Sequence, residues 1–466
     1  MNRAIKDVNN RLFFLLTGGS ILRRFIAVVT CLLLVFFVRM GVNQASVTVA
    51  ASEQPLSQSR AVPNEITTYA TELARVDLHL NARKSFATTR PDSWLHLSRV
   101  ASAQLERAQL SGEFNDYAAA HSTLQKVFTL VDSGIGPVLL RARLNYSLHR
   151  LSTIEEDLVA AESALIVSKP TIELIDGIRA DVLFQQGQYP EARRLYYELE
   201  NTFPGTNSAV RLAHYHNDIG EYDAAEQWFA KAQERVTGRS ARLRAWLKLQ
   251  FGILDLERGR LNDALVHYRD ALDLFPDYWL VEEHIAEIDA LQGRTLKAES
   301  SYRDLINRTG SPLFMIALAD IMEQRGPSEK AEANELLHEA HSLFKTIASQ
   351  IPEAMAGHAL EYFLHRGDPQ QALRMAESNY QSRPGGQPAL MLVQAQAING
   401  QLPQAQSRLD SLLTTPYRSA ELHATAAVVY RAVGLDNRAI QHARLATAIN
   451  PAALENVDWL RRKLNG

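Results

Sequence analysis

A glycine followed five residues later by an alanine recurs eight times along the C-terminal part of this chain. The pairs are Gly187/Ala192, Gly220/Ala225, Gly259/Ala264, Gly293/Ala298, Gly326/Ala331, Gly367/Ala372, Gly400/Ala405 and Gly434/Ala439. The glycines are 33, 39, 34, 33, 41, 33 and 34 residues apart. Seven residues before them stand Ala180, Ala213, Gly252, Ala286, Ala319, Leu360, Val393 and Ala427, mostly small. Pro204, Pro276, Pro384 and Pro451 stand seventeen residues after four of them. A glycine can end a helix in a left-handed turn that strains a residue bearing a Cβ. The two small residues flanking it let the helices before and after the turn cross closely. A proline cannot continue the second helix, so it resets the chain for the next hairpin. Between these marks the apolar residues keep helical spacing, and Tyr196, Phe229, Tyr268 and Tyr302 recur nine residues after their glycines as core aromatics. A unit this short cannot bury its own apolar face, so the period demands a stack of hairpins. The eight glycines are read as structural turn residues.

These residues resemble the tetratricopeptide repeat, whose period is about 34 residues. The resemblance implies an all-α fold, a right-handed α-α superhelix or solenoid. Eight copies cover 171–466. Upstream, 66–170 reads as degenerate hairpins. Ser111 to Phe128 looks like a copy with a lengthened turn, and Pro137 to Lys169 like a hairpin without its glycine, bent at Arg150 and Leu151. Together these make about ten hairpins, with a capping helix expected over Ile66 to Arg90. The long spacings mark a basic connection carrying Arg235, Arg239, Arg242 and Arg244, and a second helix lengthened over about Ser328 to Gln350.

The N-terminus has a different chemistry. Residues 1–24 hold Arg3, Lys6, Arg11, Arg23 and Arg24, and Phe25 to Val38 is an unbroken apolar run. Extended to Val42, the 25–42 segment reads as a transmembrane anchor or a signal h-region, and 43–65 as a flexible tether. Basic residues crowd the leading side, which predicts a single-pass chain with its repeat array extracytoplasmic, periplasmic in a bacterium. Signal cleavage near Ala50 is the alternative, leaving a secreted periplasmic protein. Cys31 is the one cysteine, so no disulfide forms within the chain. The formal net charge of −3 offers no basic field for nucleic acid.

The sequence carries no zinc-protease, phosphate-loop or dinucleotide-binding motif. The expectation is a protein that is not an enzyme, with no cofactor and no metal. His214 and His216 point to different faces of a helix. Glu335, His338 and His341 share one face at ligand-like spacing but read as a solvated face. A periplasmic ligand or metal carrier using such histidines is one alternative function, and a subunit of an envelope assembly or secretion machine is another.

The resemblance implies that first helices line a concave surface holding protein segments. The subset that grips chaperone C-termini uses lysine, arginine and asparagine there. Here those places hold Leu174, Gly177 and Asp181, then Val210, His214 and Asn217, so that ligand is rejected. Taking five places per first helix over eight repeats, acids far outnumber bases. Asp181, Asp218, Glu257, Glu283, Glu287, Asp320, Glu323, Glu361 and Glu421 stand against Arg431 alone, in a chain with 52 acids and 49 bases. With His214 and Trp246 they form a candidate peptide-binding groove for a basic, partly apolar segment. The function expected is a membrane-tethered interaction scaffold.

Overall fold

The computed structural model describes residues 67–465, apart from 133, 165 and 239. The basic segment, the apolar run and the tether lie outside the described residues, as does Arg239. Among the described residues no helix is long and apolar enough to cross a membrane.

Helix α1 (Tyr69–Thr88) precedes ten antiparallel hairpins. These pair α2 (Trp94–Ser111) with α3 (Phe114–Leu130), α4 (Val138–Ser147) with α5 (Ile154–Glu162), and α6 (Lys169–Gln185) with α7 (Tyr189–Thr202). Next come α8 (Thr206–Asp218) with α9 (Tyr222–Glu234), α10 (Ala241–Glu257) with α11 (Leu261–Leu274), and α12 (Trp279–Leu291) with α13 (Thr295–Thr309). The last four are α14 (Pro312–Arg325) with α15 (Lys330–Ala348), α16 (Pro352–His365) with α17 (Pro369–Ser382), α18 (Gly386–Ile398) with α19 (Leu402–Thr414), and α20 (Ala420–Ala432) with α21 (Asp436–Ile449). Two short helices, α22 (Ala453–Asn456) and α23 (Asp458–Asn465), close the chain. The described chain is helical, with no strand.

One turn geometry recurs. At Gly187 the backbone takes φ +73° and Gln188 N–H donates to the Leu183 carbonyl at 2.9 Å. The same reach-back bond forms at the Gly220, Gly259, Gly293, Gly400 and Gly434 turns, satisfying a carbonyl that the helix end leaves open. The α4–α5 turn has no glycine. There His149 takes the left-handed conformation, φ +60°, and Arg150 N–H donates to Asn145 at 2.8 Å. At the α2–α3 turn Gly112 takes φ +73°, and α3 begins two residues later, as at the other glycine turns. That turn is therefore not lengthened; only the alanine is shifted, and Tyr117 fills the place instead.

Two glycines depart from the pattern. Gly326 sits at φ +133° and is followed by a 3-10 turn, Pro327–Glu329. This slips α15 forward, so Ala331 is exposed and Ala333 is the buried residue at the crossing. Gly367 does not take a left-handed φ; a Cβ there would strike the Phe363 ring, so space rather than torsion selects glycine. Elsewhere Ala180, Ala192, Ala213, Ala225, Ala264, Ala286 and Ala298 are fully buried where helices cross. Gly252 goes further, since a Cβ would enter the buried Tyr268 ring.

The array coils until later hairpins lie on earlier ones. Gly386 N–H donates to the Tyr189 hydroxyl at 2.9 Å, across 197 residues of sequence. Arg418 N–H reaches the Asp218 carbonyl at 2.8 Å, and Asn450 Nδ2 the Glu257 carbonyl at 3.0 Å. Arg150 pairs with Glu353 at 2.9 Å, Arg383 stands 3.3 Å from the His149 ring, and Trp279 Nε1 donates to Leu110 at 3.1 Å. Hairpin turns of one superhelical turn thus meet inter-hairpin connections of the next. A single apolar cluster crosses this seam, joining Phe184, Tyr189 and Tyr215 to Leu390, Met391 and Tyr417. The basic connection also serves it: Arg242 donates to the Gln109 carbonyl at 2.8 Å.

Candidate partner-binding surface

The first helices do carry a column of acids, and most of it is covered by protein. Asp181, Glu283, Glu287 and Asp320 are buried, as are His214 and Trp246, while Asp218, Glu257, Glu323 and Glu361 are half-buried. Closure of the coil and the packing of neighbouring hairpins remove the open water that an amphipathic-helix reading assumes.

Burial then sets the chemistry of each site. Asp181 accepts from Arg211 Nε at 3.0 Å and from the Tyr196 hydroxyl at 3.1 Å. Gly177 makes room for that guanidinium, since a Cβ would come within 2.6 Å of Arg211 Nη2. His214 has its pKa lowered to about 4 by burial, so it stays neutral between Phe229 and Trp246, 5.2 and 6.2 Å from its ring. Burial pushes Asp218 up to about 8, with the Glu257 carboxylate adding to it, and raises Glu257 to about 7. Asn217 Nδ2 donates to Glu257 at 3.0 Å. Burial likewise raises Asp320 to about 7, against the opposing pull of Arg366, which pairs with both Asp320 and Glu323.

Glu283, His284 and Glu287 form the densest group. Nδ1 of His284 lies 3.3 Å from a carboxylate oxygen of each glutamate, and Tyr268 stacks on the ring at 5.4 Å. One ligand atom from each residue falls within 4.8 Å of the others, so among the described residues this trio is the group able to hold a metal ion. Glu335, His338 and His341 stand exposed on α15.

The helix α23 packs on the last hairpins of the array, against the first helices α18 and α20, and the Trp459 ring stands 4.1 Å from His365 at the end of α16. Trp459 and Leu460 are buried, while Arg461, Arg462 and Lys463 follow on the same short helix.

Sequence reasoning missed the bases that neutralise the acids. Arg211 sits on a first helix outside the five places considered, and Arg366 immediately precedes a turn glycine. A pairing search at one-repeat separation, Asp181 to Arg211, would have found the first. The seam residues Arg383 and Arg418 carry no sequence mark, and Arg150 shows in the sequence only as part of a bend.

Residues 176–196, the end of α6 and the start of α7 around Gly187, match the tetratricopeptide repeat family. No curated protein matches the chain. Among solved structures, a tetratricopeptide repeat protein from Parabacteroides merdae is similar at 16% identity, covering 56% of this chain and 99% of that one, with a TM-score of 0.34. The C-terminal part of a TPR repeat-containing protein from Cytophaga hutchinsonii is similar at 17% identity, over 61% of this chain and 99% of its own, with a TM-score of 0.30. The human IFIT1 dimer is similar at 13% identity, over 82% and 96%, with a TM-score of 0.38. The described residues thus form a helical-hairpin repeat array, and one of its turns matches the tetratricopeptide repeat.

Proposed function

We propose that this chain is a non-catalytic scaffold, tethered to a membrane by its N-terminal segment, that holds a basic, partly apolar protein segment against its first helices. The observation that carries the reading is the seat of α23. A short helix with an apolar face and three successive basic residues already lies across α16, α18 and α20. Trp459 and Leu460 make that contact while Arg461 and Arg462 pair with Asp458 of the same helix, so the seat supports apolar anchoring of a partner segment, and the acids are offered to its bases. The half-buried Asp218, Glu257, Glu323 and Glu361 are the acids offered to such a segment, while the buried Asp181 and Asp320 are matched by Arg211 and Arg366.

The test is capture of partners by the full chain from solubilised membranes, followed by measured affinity for the partner identified. Glu361→Lys should weaken that affinity, and salt should weaken it for the unaltered chain, since screening shortens to about 3 Å at 1 M. Unchanged affinity in both arms would remove the acidic-surface reading. For the tether, a reporter active only in the cytoplasm and fused after Gly466 should stay silent; a strong signal would reverse the orientation.

A further inference from the structure

Three side chains from one stretch of α12 meet in the interior of the array. Glu283, His284 and Glu287 are 1%, 0% and 0% exposed. The imidazole lies between the carboxylates, with Nδ1 3.3 Å from an oxygen of each. Two carboxylates buried beside a single ring nitrogen are costly as they stand. One proton on Nδ1 serves only one of them, and 3.3 Å exceeds the about 2.7–2.9 Å of a charge-assisted hydrogen bond. Among the described residues no lysine or arginine pairs with Glu283, and neither of its carboxylate oxygens receives a hydrogen bond of good geometry.

The helices on either side leave polar groups short of partners in the same place. The hydroxyls of Tyr268 on α11 and Tyr302 on α13 are fully buried, and neither closes a hydrogen bond of good geometry. The Tyr302 hydroxyl stands beside Glu283. The Tyr268 ring stacks on the His284 imidazole at 5.4 Å, 14° from parallel, which fixes the orientation of the imidazole. A divalent cation held by two carboxylates and a neutral imidazole makes a unit without net charge, which is what an interior shielded from water requires.

The spacing suits zinc. Ligand atoms about 2.0–2.1 Å from a tetrahedral zinc ion stand about 3.3–3.4 Å from one another. Both separations between Nδ1 and the carboxylate oxygens match that edge, and the three ligand atoms all fall within 4.8 Å of one another. We propose that Glu283, His284 and Glu287 bind a divalent cation of the zinc type in a closed, structural site. The fourth position falls to a water, for which the Tyr268 and Tyr302 hydroxyls are the available partners. Calcium takes about six to eight oxygen ligands and magnesium keeps several waters, so neither suits a nitrogen-bearing site this deeply buried. No thiolate is present to favour copper(I). The ligands come from α12 and the groups around them from α11 and α13, so the ion ties two successive hairpins together. The inference does not rest on the scaffold reading.

Metal titration of the full chain tests it. The chain is unfolded in denaturant with a chelator, refolded without metal to its native circular dichroism spectrum, and titrated with Zn²⁺ by calorimetry. One ion should bind per chain, Tm should rise with zinc concentration, and excess Ca²⁺ or Mg²⁺ should not compete. Co²⁺ in place of zinc should give the intense visible absorption of a tetrahedral site. Glu283→Gln keeps the shape and removes one ligand charge. It should lower zinc affinity by at least the about tenfold that loss of an outer-shell partner already costs. The double change His338→Gln with His341→Gln, on the exposed face of α15, should leave the affinity unaltered. No zinc bound by the refolded chain, or a weak octahedral cobalt spectrum, would overturn the proposal without recourse to a variant. Binding lost in the α15 variant and kept in Glu283→Gln would overturn it as well.

Discussion

Gly187 and Gly400 occupy the same left-handed turn, each at φ +73°, but only one of them touches the seam. A Cβ on Gly400 meets nothing within 4 Å, whereas a Cβ on Gly187 would lie 2.8 Å from the Pro384 carbonyl oxygen and 3.5 Å from Gly385 Cα. Replacing either by alanine puts a Cβ residue into a left-handed torsion, which costs about 1–2 kcal/mol. The accompanying loss of unfolded-state freedom is the same in both and cancels in the comparison. Gly400→Ala should therefore lose about 1 kcal/mol. Gly187→Ala must also force two backbones apart, an overpacking penalty of about 1–3 kcal/mol, for a total of about 2–4 kcal/mol. Urea unfolding followed by circular dichroism gives the two losses. Native-state exchange then locates them: Gly187→Ala should deprotect the start of α18, while Gly400→Ala loosens only its own hairpin and neighbours. Equal losses, within about 0.5 kcal/mol, with no deprotection at α18 would refute the claim that successive superhelical turns bear on each other.

Three further outcomes follow from the interior. Asp218 and Glu257 have folded-state pKa values raised above their unfolded ones, so the native state holds protons that the unfolded state releases, and stability should fall as pH rises from about 5 to 8. In Asp218→Asn that slope should flatten in denaturant titrations at several pH values; an unchanged slope would contradict the assignment. Asp181→Asn leaves the Arg211 guanidinium buried without its carboxylate and should cost about 3–5 kcal/mol, whereas the double change Asp181→Leu with Arg211→Met should recover most of it. Recovery that fails to exceed the single variant would mean that the pair does not act as a unit. Ala264→Leu should destabilise by about 1–3 kcal/mol and raise exchange in the adjoining hairpins, because Ala264 is fully buried at a close crossing. Unchanged exchange there would place the crossing elsewhere.

The hairpins were legible because each depends on short-range chemistry. A glycine at a left-handed turn, an alanine at a crossing and a proline at a restart act within one repeat, and the period exposes them. The Gly326 register slipped because a 3-10 turn can insert before a helix without any residue that announces it. The acidic column was legible as a pattern, but its burial was not, since burial depends on which later hairpin lies over an earlier one. Arg211 and Arg366 neutralise acids 30 and 46 residues away, and Gly386 meets Tyr189 only across 197 residues of coiled array. Contacts of that span leave no local periodicity. His149 is a middle case: a turn without glycine was visible, and the residue that takes the left-handed torsion is identified by the structure.

Closure of the coil upon itself brings later hairpins over earlier ones and helps to bury the acidic column. Two backbone amides report it directly. Gly386 N–H stands at the first position of α18, where the helix supplies no acceptor, and Arg418 N–H lies in a connection between hairpins. Each is bonded only to a group far away in sequence, the Tyr189 hydroxyl and the Asp218 carbonyl. Residue-resolved hydrogen exchange on the full chain should find both amides protected, and Tyr189→Phe should release Gly386 while leaving the α6–α7 hairpin protected. Exchange of both amides in the unaltered chain at the rate of an unprotected peptide would show an open superhelix and contradict the account.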